Sequence, residues 1–236
     1  VALRSGAWKA SRGSLIPMLL GFALQTGFLY LRGQAHGRCP LTNVFEVLIF
    51  ISWSIVLLYL LVGSAYRLSL LGVFTAPMVA IVQIIALALP LDVAPTDITP
   101  RPVNAWLELH AAVSLIAYAA FALACVTGVM YLLQERLLKK HRIGGLFYQL
   151  PPIQGLAHGI QRLAILGFVL LTAGLAFSFG LEIEASNPKL IFAWVVWGLY
   201  ALICVIMWRH VLSPRQTAWL AVTGFFVPFV SLWIVT

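Results

Sequence analysis

A chain of 236 residues that is 62% hydrophobic and 9% charged, with a mean hydropathy of +0.99, cannot cover a soluble surface, which needs about a quarter of its residues charged. The formal net charge of +8 does not point to nucleic acid, because the Lys and Arg residues fall between apolar runs rather than on one basic face. Apolar runs of about 20 residues match helices crossing a hydrocarbon core roughly 30 Å thick, and exclude a β-barrel, whose strands read as alternating segments of ~10 residues.

The expected fold class is therefore all-α: a polytopic membrane protein with one transmembrane helical domain over 1–236. In chain order, Val1 opens a mildly amphipathic stretch with Arg4, Lys9 and Arg12 and no signal-peptide pattern, so either the true start lies upstream or the ends were trimmed, and a further span is expected in the full protein. Seven spans follow at 13–31, 44–63, 70–90, 108–134, 161–181, 190–209 and 217–236. Pro77 and Gln83 interrupt the third, which spanning helices tolerate when neighbours satisfy the freed groups. The fourth is long enough to tilt or to project past the bilayer, ending in Gln134, Glu135 and Arg136.

Loop charge sets the orientation. Arg4, Lys9, Arg12, Arg67, Arg136, Lys139, Lys140, Arg142, Arg162, Arg209 and Arg215 lie on one set of connections, and only Arg32, Arg38, Arg101 and Lys189 on the other. The positive-inside bias places the start of the chain, the 135–160 loop and the 210–216 turn in the cytoplasm, and its end outside a bacterial inner membrane. Trp8, Tyr30, Tyr66, Trp106, Tyr148, Trp208, Trp219 and Trp233 stand near predicted boundaries, as belt aromatics do. The inner loop carries Gly144, Gly145, Pro151 and Pro152 and reads as a surface-lying or re-entering segment.

Few residues can carry chemistry. His110, just beyond Glu108 at the outer end of the fourth run, shares a helix face with Ser114, with Ala117 and Tyr118 close by. It can be an axial haem ligand, a proton acceptor, or a polar residue bonded to nearby carbonyls. His36, His141, His158 and His210 are not spaced three or four apart on any helix, so no local metal pair exists. His36 and His110, both outside, are the one pair able to share an outer ligand. Glu46 follows Asn43 as in a capping box; at membrane depth its carboxylate needs a partner, with the cap N–H, Arg38 or a bound head group available. Gln83, in mid-span, should bond another helix or line a cavity. Gly167, Ala173 and Gly174 permit close helix packing. Cys39, Cys125 and Cys204 have no metal spacing and read as small core residues, Cys39 alone lying in a loop.

The stretch from Gly37 through Arg38, Cys39, Pro40, Asn43 and Glu46 to Phe50 and Trp53 resembles the signature "GhxPhxNhaE…F.aW" of the cytochrome c assembly family, the haem-handling proteins of the CcsA and CcmC/CcmF type. Leu109 to Tyr118, Arg162 through Gly167 and Gly174, and Asn187, Pro188, Lys189 with Trp194, Trp197 and Tyr200 resemble successive family blocks in order. The resemblance implies haem as the cofactor, His110 as the outer haem-iron ligand, and eight helices in a full-length protein; Glu46, His36 and Tyr118 are the further candidate cofactor-binding residues. The family's second outer histidine stands beyond the last helix, where the sequence stops at Thr236, so the residues present are not expected to make a complete bis-histidine haem site. In haem-transferring members a loop of the form WGxxWxWDPKE precedes the Pro-Lys pair; the corresponding residues 179–190 contain no tryptophan, and Glu182 and Glu184 stand there instead. Stacking on a porphyrin face is expected to be lost with it. The chain is closer to the HemX-like or YpjD-like branch, which lacks that loop and shares Leu150, Pro151 and Pro152.

The expected function is an accessory role in cytochrome c or haem-protein biogenesis through partner or transient haem binding rather than catalysis. The partners implied are the lipid bilayer and other membrane proteins of that assembly. A structural subunit of a respiratory or photosynthetic complex is the alternative. A haem or anion transporter would need a polar pathway, and the mid-span inventory is little more than Gln83 and a few hydroxyls.

Overall fold

The computed structural model describes residues 12–41, 43–66, 71–89, 104–140, 152–180, 188–209 and 211–235. They form seven helices and no strand: α1 Arg12–His36, α2 Val44–Tyr66, α3 Leu71–Leu87, α4 Ala105–Lys139, α5 Ile153–Ser178, α6 Pro188–Trp208 and α7 Pro214–Val235. Within α2, α4, α5 and α6 are stretches long and apolar enough to cross a membrane, and α3 is a shorter apolar helix. The chain is a polytopic helical membrane protein.

The bundle is organised around α4, which packs most extensively on α5 and then on α7, α2 and α3. Its sequence explains that position. Ala117, Ala119, Ala120, Ala122 and Ala124 are fully or nearly fully buried, and such short side chains let neighbouring backbones approach where apolar lipid gives no drive to bury bulk. Gly128 is the tightest example on the α7 side: a Cβ there would stand 2.9 Å from the Ala218 carbonyl oxygen. Asn104, in an extended conformation, caps α4 by accepting from the Trp106 N–H, while Glu108 in the first turn and Arg136 and Lys139 in the last complement the helix dipole. At 35 residues the helix is about 50 Å long, well beyond the hydrocarbon thickness.

Contacts down the seams show antiparallel neighbours. Ser114, Phe121 and Thr127 meet Gly174, Gly167 and Gly159 of α5 in descending order. Two ends of the bundle follow. One holds the end of α1 and the starts of α2, α4 and α6, and is here called the His110 end; the other holds Glu135 and the starts of α3, α5 and α7.

Helix α5 begins at Ile153 rather than at 161, and α4 runs on to Lys139, so much of the segment expected as an inner loop is helical. The first turns of α5 are amphipathic. Leu156, Ile160, Leu163, Gly167, Leu171 and Gly174 form its buried stripe, a periodicity that an apolar-run criterion does not register in a polar stretch such as Gln154 to Arg162. The remaining inner-loop residues 141–151, the segments 90–103 and 181–187, and His210 lie outside the described residues.

Candidate functional site

The His110 end is held together by a few polar joints. At the start of α2, Asn43 Oδ1 accepts from the Glu46 N–H at 2.8 Å, which caps the helix. The Glu46 carboxylate, 1% exposed, pairs with Arg32 of α1, Nε to Oε1 2.6 Å. The partner is thus Arg32 rather than Arg38, because antiparallel packing brings the last part of α1 over the first turn of α2. Below it, Gln25 donates through Nε2 to the Ile49 carbonyl at 2.9 Å and to Ser52 Oγ at 2.6 Å, and Trp53 Nε1 donates to Thr26 Oγ1 at 2.8 Å. Gln25 plays the cross-helix part expected of Gln83. Gln83 itself is half-buried and, among the described residues, has no hydrogen bond; its position before the last turns of α3 leaves it beside exposed Ile84 and Leu87.

The α1–α2 connection turns on Gly37, whose φ of +63° suits a residue without Cβ. It then docks on α4 through the Cys39 N–H, which donates to Glu108 Oε1 at 3.1 Å. Burial first, then the carboxylates of Glu108 and Glu46, push the Cys39 thiol above its ordinary pKa.

His110 serves a different neighbour. Two helical residues rotate a side chain by about 200°, so with Glu108 turned to the α1–α2 connection, His110 faces α5. Its Nδ1–H donates to the Gly174 carbonyl at 2.8 Å. Ser114, one turn on, lies against the same glycine: a Cβ at Gly174 would be 2.5 Å from Ser114 Oγ and 3.2 Å from its backbone nitrogen. One turn before, Trp106 packs on Phe177 with ring centroids 6.0 Å apart and covers Gly180. The shared face of residues 110 and 114 expected from spacing is present, and Trp106 extends it. Tyr118 is half-buried further along α4, within electrostatic range of Tyr200 of α6.

The sequence-selected residues do not form one constellation. Glu46 closes the α1–α2 joint. His36 is exposed, and its Nδ1–H donates to the Arg32 carbonyl of its own helix at 2.9 Å, so it sits at the same end as His110 but on the other side of α4. Among the described residues no hydrogen bond links the two histidines, each being held by a backbone carbonyl of its own. Among the described residues no group of three His, Cys, Asp or Glu side chains could hold a metal ion.

What sequence reasoning missed is aromatic. Phe179 and Trp194 meet at 6.2 Å, Trp194 and Trp197 at 5.7 Å, and Trp197 and Phe168 at 5.7 Å, with Trp197 Nε1 held by Thr172 Oγ1 at 3.0 Å. Phe179, Trp106 and Trp194 are 77%, 51% and 40% exposed. Helix ends thus supply exposed rings beside the segment whose tryptophans are absent. The signal was legible as aromatics at 177, 179, 194 and 197, but only packing shows that they adjoin.

Because a carbonyl oxygen only accepts, Nδ1 is the donor in this bond, and in the neutral imidazole that leaves the lone pair on Nε2. A backbone carbonyl holding the far nitrogen is the arrangement that orients metal-binding imidazoles. The donor chemistry and the neighbouring aromatic wall therefore fit haem iron with a flat apolar ring.

Residues 41–236 match the family described as Cytochrome C assembly protein. Among curated proteins, the chain is 28% identical over 201 residues to Protein HemX of Brevibacillus brevis, covering 82% of this chain and 73% of that one. It is 27% identical over 245 residues to the cytochrome c biogenesis protein CcsA of Prochlorococcus marinus (strain MIT 9301), covering 92% and 78%. A further similarity, 35% over 128 residues, is to the CcsA of Synechococcus sp. (strain JA-3-3Ab), covering 52% of this chain and 36% of that protein.

Proposed function

We propose, from the premise that the chain belongs to the Cytochrome C assembly protein family and to its HemX-like branch, that it is an accessory membrane protein of cytochrome c or haem-protein biogenesis. It acts by holding haem as cargo, or a partner that carries it, at the His110 end rather than by making or breaking bonds. The observation that carries the reading is the His110 Nδ1–H bond to the Gly174 carbonyl, which presents Nε2 as a ligand nitrogen. Trp106 and Phe177 supply the adjoining apolar wall. Bound haem supplies the iron and the porphyrin that the assembly consumes. The chain's own residues bind and orient: Gly174 fixes the imidazole, Ser114 packs against that glycine, and the Arg32–Glu46 pair and the Cys39–Glu108 bond hold α1, α2 and α4 in place around it.

By the positive-inside bias this end faces outward from a bacterial inner membrane, and the Glu135 end, with Arg136, Lys139, Lys140, Arg162, Arg209 and Arg215, faces the cytoplasm.

The test is a haem spectrum of the protein purified in mild detergent, wild type beside His110→Ala. Wild type is expected to retain haem with a histidine-ligated Soret band, and the variant to lose it while keeping its helical circular dichroism. Absence of stoichiometric haem together with absence of any copurifying maturation protein would overturn the reading. Recovery with subunits of a respiratory or photosynthetic complex would instead support a purely structural role.

A further inference from the structure

Away from the His110 end, a groove of about 340 Å³ runs between α3 and α7 with α4 as its floor, lined by Phe74, Met78, Cys125, Val129, Phe226 and Phe229 among others. Two of its walls, Val129 and Phe226, are 42% and 60% exposed, so it opens sideways to the bilayer rather than into the bundle. We infer that this groove is a binding site for one anionic phospholipid, whose acyl chain lies along the apolar walls and whose phosphate is held by Arg136 and Arg215.

The walls are almost wholly apolar and open to the bilayer, and an acyl chain is thin and flexible enough to follow them. Register supplies the head group. Arg136 follows Val129 by seven residues and Cys125 by eleven, and Arg215 precedes Phe226 by eleven and Phe229 by fourteen. Each spacing is close to a whole number of helical turns, so both arginines rise from the groove-lining faces of α4 and α7. At 1.5 Å per residue they stand about 10–20 Å above the lining residues, the depth of one leaflet in a core roughly 30 Å thick.

Charge completes the match. Arg136 is exposed and makes no ion pair among the described residues. Arg215, 57% exposed, reaches Glu135 Oε2 at 3.4 Å, while Glu135 is also paired with Lys139 at 2.7 Å. Glu135 is thus shared between Lys139 and the Nε of Arg215, which leaves the terminal amino groups of Arg215 and the Arg136 guanidinium to donate to a phosphate, a geometry arginine suits.

The experiment is native mass spectrometry of the full chain released from nanodiscs of phosphatidylcholine doped with phosphatidylglycerol. One phosphatidylglycerol is expected to stay bound in preference to phosphatidylcholine. The Arg136→Gln/Arg215→Gln double variant should lose about thirtyfold of that preference, as two basic groups facing an anionic leaflet imply. Arg209→Gln, an exposed cation at the same end but off the groove, should leave it unchanged. Val129→Phe, which narrows the groove from a lipid-exposed position, should lower retention of both lipids. Equal retention of the two lipids by wild type, an undiminished preference in the double variant, an equal loss in Arg209→Gln, unchanged retention in Val129→Phe, or a fatty acid or polypeptide in place of the phospholipid would each overturn the proposal.

Discussion

Glu46 and Cys39 show how a single side chain at this depth is governed by what it is paired with. A carboxylate 1% exposed is tolerable only with its cation in place, and removing one member of a buried pair leaves an uncompensated charge. Arg32→Met should therefore destabilise the protein by about 3–5 kcal/mol, while Arg32→Met/Glu46→Met should recover most of that loss; thermal unfolding in detergent, followed by circular dichroism, measures both. For Cys39 the causes of the raised pKa are burial first and then Glu108 and Glu46. The thiolate is the reactive form, so at mildly alkaline pH iodoacetamide should alkylate Cys39 more slowly than free cysteine, with the rate still climbing at pH values where the free thiol has levelled off. Glu108→Gln removes one raising charge and should shift that profile towards lower pH without abolishing the difference, since burial persists. A profile matching free cysteine in the unaltered protein would contradict the packing of this loop.

At the scale of helices, the seam between α4 and α5 is set by glycine on one side and small or flat groups on the other. Gly174 is the position with most at stake, because its carbonyl holds His110 and its missing Cβ makes room for Ser114. Gly174→Ala should cost about 1–3 kcal/mol through overpacking against the Ser114 backbone. Ser114→Ala in that background should return part of the loss by removing Oγ, though not the part owed to the backbone. Because the carbonyl moves with α5, Gly174→Ala should also weaken haem retention in the spectrum used for His110→Ala. Unaltered stability and spectrum in Gly174→Ala would show that the seam has slack and that His110 is not positioned by it. The same reasoning applies to Gly128 where α4 meets α7, with no expected effect on His110.

For the molecule as a whole, the basic residues at the Glu135 end and their scarcity at the His110 end make orientation testable. Lys140→Cys is expected to react with a membrane-impermeant maleimide only in inverted membrane vesicles, and Ala105→Cys only in intact spheroplasts, with Cys39 replaced by serine in both. The opposite pattern would place the His110 end in the cytoplasm and remove it from the compartment proposed for haem handling. Packing of α4 on α5, α7, α2 and α3 also explains why so few polar groups suffice among the described residues. Ser54, Thr75 and Thr127 return their hydroxyls to carbonyls of their own helices, while Gln25, Trp53 and the Arg32–Glu46 pair join α1 to α2 and Trp197 joins α6 to α5.

Membrane embedding, the helical class and the resemblance to haem-handling proteins were legible in sequence order alone, since each rests on local quantities: apolar run length, charge between runs, and the spacing of Asn43 from Glu46 or His110 from Ser114. The Asn43 cap was likewise readable, because it is made within four residues. The early start of α5 was obscured by its polar outer face. Which distant groups meet was not in the local signal: Arg32 rather than Arg38 for Glu46, Gln25 rather than Gln83 between helices, Gly174 as the acceptor for His110, and aromatics from three helix ends beside it. Those pairings depend on helix rotation and on which helices are neighbours, quantities fixed by close packing around α4 across many residues at once. Tertiary structure therefore decided that His110 faces α5 with its Nδ1 already engaged, while Glu46 closes the joint between α1 and α2.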